Sequence, residues 1–416
     1  MAVRAPTPDA RCNESPRAPR DSAGKTFVPL LIVWSGWLVL IAGANLATPL
    51  YAVYAKHFGF SSLVLTSVFG TYALVLVPAL ILFGRLSDRF GRRPVILAGL
   101  GVACGGLVLF ALAQSSAWLY GARAVQGLAV GMISGAATAA LVELDPGGDR
   151  RRAAMFAGLA QAGGSAAGPL LAGALAQWAP APLRLSFLVG LGATVAAGVL
   201  TLTMREPAER DVEPWRIQWP RVPAQIRRRF VRVSLTAATV WATVALYLSI
   251  VPSYAGGLLR THDLALLAAI AAIALVSSFA TQIVSTRRRP SPQLSQAVGL
   301  GLLAAGLVAL VLAAPLHSLS LLVAGAIAAG AGHGVAFLNA QEELNEIAPA
   351  ERRGEVTAAF ISCIYALVAG SVIATGVLDL RFSLSLSVGA VSVVLIAIAL
   401  SAAAWQVVTR DRRRPA

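Results

Sequence analysis

Eleven residues, Gly84-Arg85-Leu86-Ser87-Asp88-Arg89-Phe90-Gly91-Arg92-Arg93-Pro94, crowd five charges between apolar segments too long for a soluble core. A knot of this kind must lie at a membrane surface, where guanidinium and carboxylate groups can pair; Glu143 and Asp145 are candidate acidic partners. Arg123 poses a different problem, because it is the one basic residue deep inside an apolar stretch. A charge at that depth costs at least about 2.5–3.5 kcal/mol on insertion scales, so it marks function. It can modulate a neighbouring proton site or bind an anionic substrate. His333, also deep in an apolar stretch, can titrate near neutral pH and carry a proton. Enzyme chemistry finds no support: His57, His262, His317 and His333 form no cluster with a nucleophile, an acid pair or metal ligands. Cys12, Cys104 and Cys363 have no metal-ligand or disulfide spacing. The chain is therefore read as a non-enzyme with no cofactor and no metal.

The elements that must hold these residues are membrane helices. Of 416 residues, 57% are hydrophobic and only 13% are charged, against about a quarter charged in a soluble protein. Charge is confined to short clusters between apolar runs of roughly 20 residues, the length of a helix that crosses a bilayer. The runs are unbroken Leu, Ala, Val and Gly, which excludes the alternating ten-residue pattern of a barrel. Spans are expected at 28–54, 63–83, 95–114, 118–143, 154–178, 184–204, 231–257, 264–285, 294–315, 318–341, 355–378 and 382–407. Of the 34 Lys and Arg residues, 29 fall on one side of this topology and four on the other, with Arg123 inside a span. Positive loops face the cytoplasm, so both termini are placed there. The net charge of +15 reflects this alternation and not a nucleic-acid surface, which would interleave basic and aromatic residues on a soluble domain.

The expected fold is all-α and integral to the membrane, with 12 transmembrane helices in two pseudo-symmetric six-helix bundles. Residues 1–26, polar and without an apolar core, read as a disordered cytoplasmic tail. Residues 27–204 form the first bundle, 205–230 a proline-containing cytoplasmic linker, 231–407 the second bundle and 408–416 a tail. The halves repeat: Phe83 to Pro94 and Phe279 to Pro290 are each twelve residues ending Arg-Arg-Pro. Parallel repeats of this kind place a substrate site near the midplane between halves.

Three motifs make the chain resemble the major facilitator superfamily, and within it the 12-span drug/proton antiporters. Gly84, Asp88, Arg89, Gly91, Arg92 and Arg93 match the family's loop 2–3 motif at every diagnostic position. Arg123-Ala124-Val125-Gln126-Gly127 resembles its R-x-x-Q-G motif in span 4. Gly164-Ser165-Ala166-Ala167-Gly168-Pro169-Leu170-Leu171-Ala172-Gly173 resembles the span 5 motif of proton-coupled exporters, with Ala172 in place of one glycine.

The resemblance implies a secondary transporter working by alternating access in the plasma membrane. It would export a drug-like or metabolite molecule in exchange for protons. It also implies that Asp88 meets the start of span 11 near Gly354. Gly84, Asp88, Arg89, Gly91, Arg92, Arg93 and Glu143 would then form a conformational latch. Arg123, Gln126 and His333 are the transport and coupling candidates. Proton-driven members usually carry an embedded acid in span 1 or 4, whereas span 1 here offers Asn45. In span 5, Gly164, Gly168 and Gly173 supply close packing and Pro169 permits a kink. Cavity candidates are Asn45, Tyr51, Tyr72, Gln161, Tyr247, Asn339 and Tyr365. Sparse fixed charge suggests an apolar or weakly polar substrate. The partners expected are that small molecule, protons and the lipid bilayer, with no nucleic acid, and the chain is expected to act as a monomer. The alternatives are an uptake permease or proton symporter, and a non-transporting membrane sensor, for which the tails are too short.

Overall fold

Helices begin and end close to the apolar runs. The computed structural model describes residues 27–84, 86–207, 219–249, 251–285, 291–349 and 352–409. Among them every regular element is a helix. The expected tail at 1–26, all but the first two residues of the one at 408–416, and residues 208–218 of the linker lie outside the described residues.

Span 1 runs Val28–Asn45, passes through a 3-10 turn at Thr48–Leu50 and continues as Tyr51–Phe58. Pro49 lies in that turn and cannot donate to the preceding helix. Spans 2 to 6 are Ser62–Phe83, Arg92–Ala111, Ser116–Leu144, Arg150–Trp178 and Leu185–Thr203, with a short helix, Leu86–Phe90, between spans 2 and 3. In the second half, span 7 is Arg227–Ser249 with Val251–Leu259, and spans 8 to 12 are Leu264–Ser285, Pro292–Ala313, Leu319–Ile347, Arg353–Asp379 and Leu384–Val408. Span 7 thus starts at Arg227, four residues before the expected boundary. Ser318 and Ser383 accept from the third N–H beyond them, at 3.3 and 3.4 Å, and so cap spans 10 and 12.

Eleven helices among the described residues are long and apolar enough to cross a membrane. Span 5 is equally long, at 29 residues, but Arg150, Arg151, Arg152, Gln161 and Gln177 dilute its apolar character. It continues through Pro169 without interruption.

Pairing repeats between halves. Spans 3–4, 2–4, 3–6 and 1–5 pack together, and so do 9–10, 8–10, 9–12 and 7–11. Span 5 against span 8 and span 2 against span 11 join the two bundles. Two tyrosines give the repeat at atomic level. The Tyr54 hydroxyl donates to the Phe110 carbonyl and the Tyr254 hydroxyl to the Leu310 carbonyl, both at 3.3 Å and both 56 residues downstream. Lipid tails provide no hydrophobic drive between helices, so close approach of small residues takes over. A Cβ on Gly127 would stand 2.5 Å from the Tyr72 carbonyl, and one on Gly135 would stand 2.7 Å from that of Gly84. Gly127 and Gly135 thus mark the face of span 4 that packs on span 2.

Candidate functional site

Two polar regions come together at different depths. The first lies at the basic end, where the loop between spans 2 and 3 meets the ends of spans 4 and 6. Gly91 has φ of +97°, a conformation that favours glycine. The reversed chain exposes the first N–H groups of span 3, and Glu206 receives them: Arg92 N–H at 2.7 Å and Arg93 N–H at 3.1 Å. An anion there also meets the positive end of the helix dipole. A Cβ on Gly91 would also lie 2.6 Å from the Glu206 carboxylate, which would have to shift.

Arg92 is the hub of this region. Its Nη2 donates to Glu143 at 2.8 Å, its Nη1 to the Ser87 hydroxyl at 2.8 Å, and the same Nη1 to Asp88. Arg93 reaches the Leu202 carbonyl. Arg89 stays exposed over the Phe90 ring. Gly84 lies against Gly135. Asp145 does not join Arg92; it pairs with Arg152 through two bonds of 2.6 Å. It also accepts from the N–H groups of Gly147 and Asp149 at 2.9 and 3.0 Å. The Arg152 bonds, helped by the backbone donors, hold its carboxyl down at about 2. The contacts described for Asp88 run to Arg92, and residues 350–351, just ahead of span 11, lie outside the described residues.

The second region is a central cavity of about 60 Å³ between the bundles. Asn45, Tyr72, Arg123, Gln161 and Ser165 line it from the first bundle, and Trp241 and Tyr365 from the second. That volume holds a few waters, against the roughly 300–1,000 Å³ of a pocket for a drug-sized ligand, so the bundles are closed on it. Tyr72 and Tyr365 meet across the interface with ring centroids 6.2 Å apart.

Arg123 is 2% exposed. Its Nε donates to the Tyr51 hydroxyl, and its Nη1 to the Ala44 carbonyl at 2.6 Å and to Gln126 Oε1 at 3.0 Å. Gln126 in turn donates to the Gly43 carbonyl at 3.1 Å. The rings of Tyr51, Phe69, Tyr72 and Phe110 surround the guanidinium at 5.3–5.9 Å. Among the described residues its Nη2 group has no hydrogen-bond partner.

The other sequence candidates fall elsewhere. Tyr51 lies behind Arg123, and Tyr247 is in the core of the second bundle. Asn339 is tied to the Val335 carbonyl at 2.8 Å. None of these three lines the cavity, because each turns to its own bundle. His333 packs behind Trp241, with ring centroids 4.9 Å apart; its Nδ1 meets the Ser278 hydroxyl at 2.7 Å and its Nε2 has no partner. In span 5, Gly164 and Gly168 pack on span 1, whereas Gly173 packs on span 8.

Sequence reasoning missed Glu206 and a buried polar cluster in the second bundle. Glu343, fully buried, accepts from Arg232 and from Gln296 at 2.7 Å. Gln406 donates to Gln296 at 2.7 Å and to Thr236 at 3.0 Å, and Arg232 reaches Thr409. The cluster ties spans 7, 9, 10 and 12. The available signal was the helical phase of span 10, in which Ala336, Ala340, Glu343, Leu344 and Ile347 share one buried side.

Two repeated bundles closing on a central cavity define the class of secondary transporters. A sequence model of the Major Facilitator Superfamily matches residues 33–375, so the chain belongs to that family of multi-pass membrane transporters. The inner membrane transport protein YajR of Escherichia coli is 35% identical over 118 residues, 28% of this chain and 26% of that protein. The class H tetracycline resistance protein of Pasteurella multocida is 31% identical over 121 residues, covering 29% of this chain and 28% of that protein. The cephamycin export protein CmcT of Amycolatopsis lactamdurans is 28% identical over 187 residues, 45% of this chain and 38% of that protein. The matched stretches thus span about a quarter to two fifths of these relatives. A solved structure of a POT family transporter in complex with 5-aminolevulinic acid superposes with a TM-score of 0.74 at 12% identity. It covers 92% of this chain and 96% of that one, a likeness of fold.

Proposed function

We propose that the chain is a secondary active exporter of a small organic molecule, exchanged for protons by alternating access. The observation that carries this reading is the central cavity: both bundles line it, and among the described residues they meet around it chiefly through two helix pairs, 5–8 and 2–11, with smaller contacts from the Thr48–Leu50 turn of span 1 to spans 7 and 8. Rocking about those contacts would open the cavity to one side at a time. The tetracycline-resistance and cephamycin-export relatives favour export. The 29-to-4 distribution of basic residues supports a cytoplasmic basic end, with both termini on that side of the plasma membrane. Residues 27–204 and 231–407 would move as the two bodies, and 205–230 would link them. The Arg92 hub with Asp88 and Glu143 would latch the cytoplasmic side, Asp88 reaching the start of span 11. His333 is the candidate proton carrier, with Arg123 and Gln126 shaping the site, and one chain suffices for transport.

The test is a susceptibility panel of a strain with and without the protein, repeated with an uncoupler. Export predicts protection against some compounds that the uncoupler removes. Everted vesicles then fix direction: a proton gradient, acid inside, should drive accumulation of those compounds. Loss of preloaded compound instead would mean uptake.

A further inference from the structure

Arg123 is a buried cation without a counter-ion. Among the described residues no carboxylate pairs with it, and its three hydrogen-bond partners, Tyr51, Ala44 and Gln126, are neutral. The surrounding ring faces attract the guanidinium but leave its charge in place. An uncompensated charge at this depth is expensive. The side chain lines the central cavity, and its Nη2 group has no hydrogen-bond partner among the described residues. Beside it on span 5, Gln161 and Ser165 line the same cavity and make no hydrogen bond within the protein among the described residues. Asn45, Tyr72 and Tyr365 add polar atoms to the lining, and Phe69, Val244, Leu248 and Val368 give it apolar walls.

We infer that the substrate is an organic anion: an oxyanion head held by Arg123 Nη2 with Gln161 and Ser165, and an apolar or aromatic body against Phe69 and Trp241. The inference rests on the transport reading above and replaces the apolar substrate that sparse charge suggested. The head could be a carboxylate, phosphonate or sulfonate, since each offers acceptor oxygens to a guanidinium. The ligand would supply the charge that the protein withholds.

The experiment measures binding to the purified full-length protein by titration calorimetry. Probes are a series of aryl and alkyl carboxylates, phosphonates and sulfonates, each paired with its neutral amide of the same body. The expected result is that one oxyanion series binds about 10–100-fold tighter than its amides, the ratio for a charge-assisted hydrogen bond. Arg123→Gln should erase that ratio, and Arg123→Lys, which keeps charge but not the fork, should leave some of it. Equal binding of acids and amides, no binding by any acid, or an unchanged ratio in R123Q overturns the inference. Should R123Q not fold, the ratio is read in R123K and Gln161→Leu, where no change overturns it equally. If neutral compounds are bound and exported while acids gain nothing, the transport reading stands and this one falls. If the strain panel and vesicles show no transport although acids bind through Arg123, the reverse holds.

Discussion

Asp145 shows how much a single side chain can settle at the basic end. It is 1% exposed and takes four hydrogen bonds, two from Arg152 and two from backbone N–H groups. Its carboxyl is held near 2, below the 3.8 of a free aspartate, first by Arg152. A depressed carboxylate stabilises the fold fully above its unfolded value, and that stabilisation is lost as pH falls through the folded value. Asp145→Asn should therefore melt below the wild type at neutral pH, and the gap should narrow as pH drops from about 4 toward about 2. Melting curves of the purified protein at a series of pH values check this; a gap independent of pH would assign the effect to packing. Asp145 was readable in sequence as a candidate acidic partner, yet which arginine it takes was not. Arg152 is the nearer arginine in sequence, but the loop knot offered Arg92 as well, and only the fold sends Arg92 to Glu143 and Arg152 to Asp145. Glu206 was unreadable for the same reason, since it caps a helix more than 110 residues away.

Helices were easier to read than the contacts between them. Apolar run length alone gave the twelve spans, with Pro49 interrupting span 1 and span 5 the most diluted. The repeat was legible only in its loops, where Phe83 and Phe279 are 196 apart, whereas Tyr54 and Tyr254 are 200 apart. That slip of about one helical turn hides the equivalence from the sequence. Span 5 shows the same limit: its glycines spell close packing without naming the neighbour. A Cβ on Gly168 would collide with the Ala42 carbonyl inside the bundle, and one on Gly173 with Ala268 of the other bundle. Both contacts are rigid; inside the bundle, Gly168→Ala should cost about 1–3 kcal/mol of stability, seen as a lower melting temperature. Gly173→Ala should leave melting closer to wild type and reduce transport, because its contact lies on the moving interface. Equal effects of both on melting would refute that division. In the second bundle, Glu343→Ala should cost about 3–5 kcal/mol by stranding Arg232, and Arg232→Met with Glu343→Met should recover much of it. Thermal melting of both variants decides this, and a double variant no better than E343A would make the pair a net stabiliser.

At the scale of the whole molecule, the cavity is too small for cargo because both ends are shut. Toward the end away from the basic loops, a Cβ on Gly376 would press on Thr66, across spans 11 and 2. Toward the basic end, a Cβ on Gly158 would lie 3.1 Å from Gln282, across spans 5 and 8. A rocking transporter must separate the helices at either end while holding them together at the other; the contacts of Arg92 with Asp88 and Glu143 lie within the first bundle, so the latch proposed above also requires Asp88 to reach span 11. Asp88→Asn should then abolish transport with expression intact, and full activity would remove the latch. The stricter test fixes each end in turn, in a background where Cys12, Cys104 and Cys363 are replaced. Joining Thr66→Cys to Gly376→Cys with a short thiol cross-linker should stop transport while leaving Ser165→Cys open to an impermeant thiol reagent from the basic side only. Joining Gly158→Cys to Gln282→Cys should also stop transport and leave Ser165→Cys open from the opposite side only. Ser165 suits the readout because it lines the cavity and is 2% exposed in the closed state. Labelling from the same side under both cross-links would mean that the bundles do not rock about these contacts, and transport would then need a route other than the cavity at Arg123.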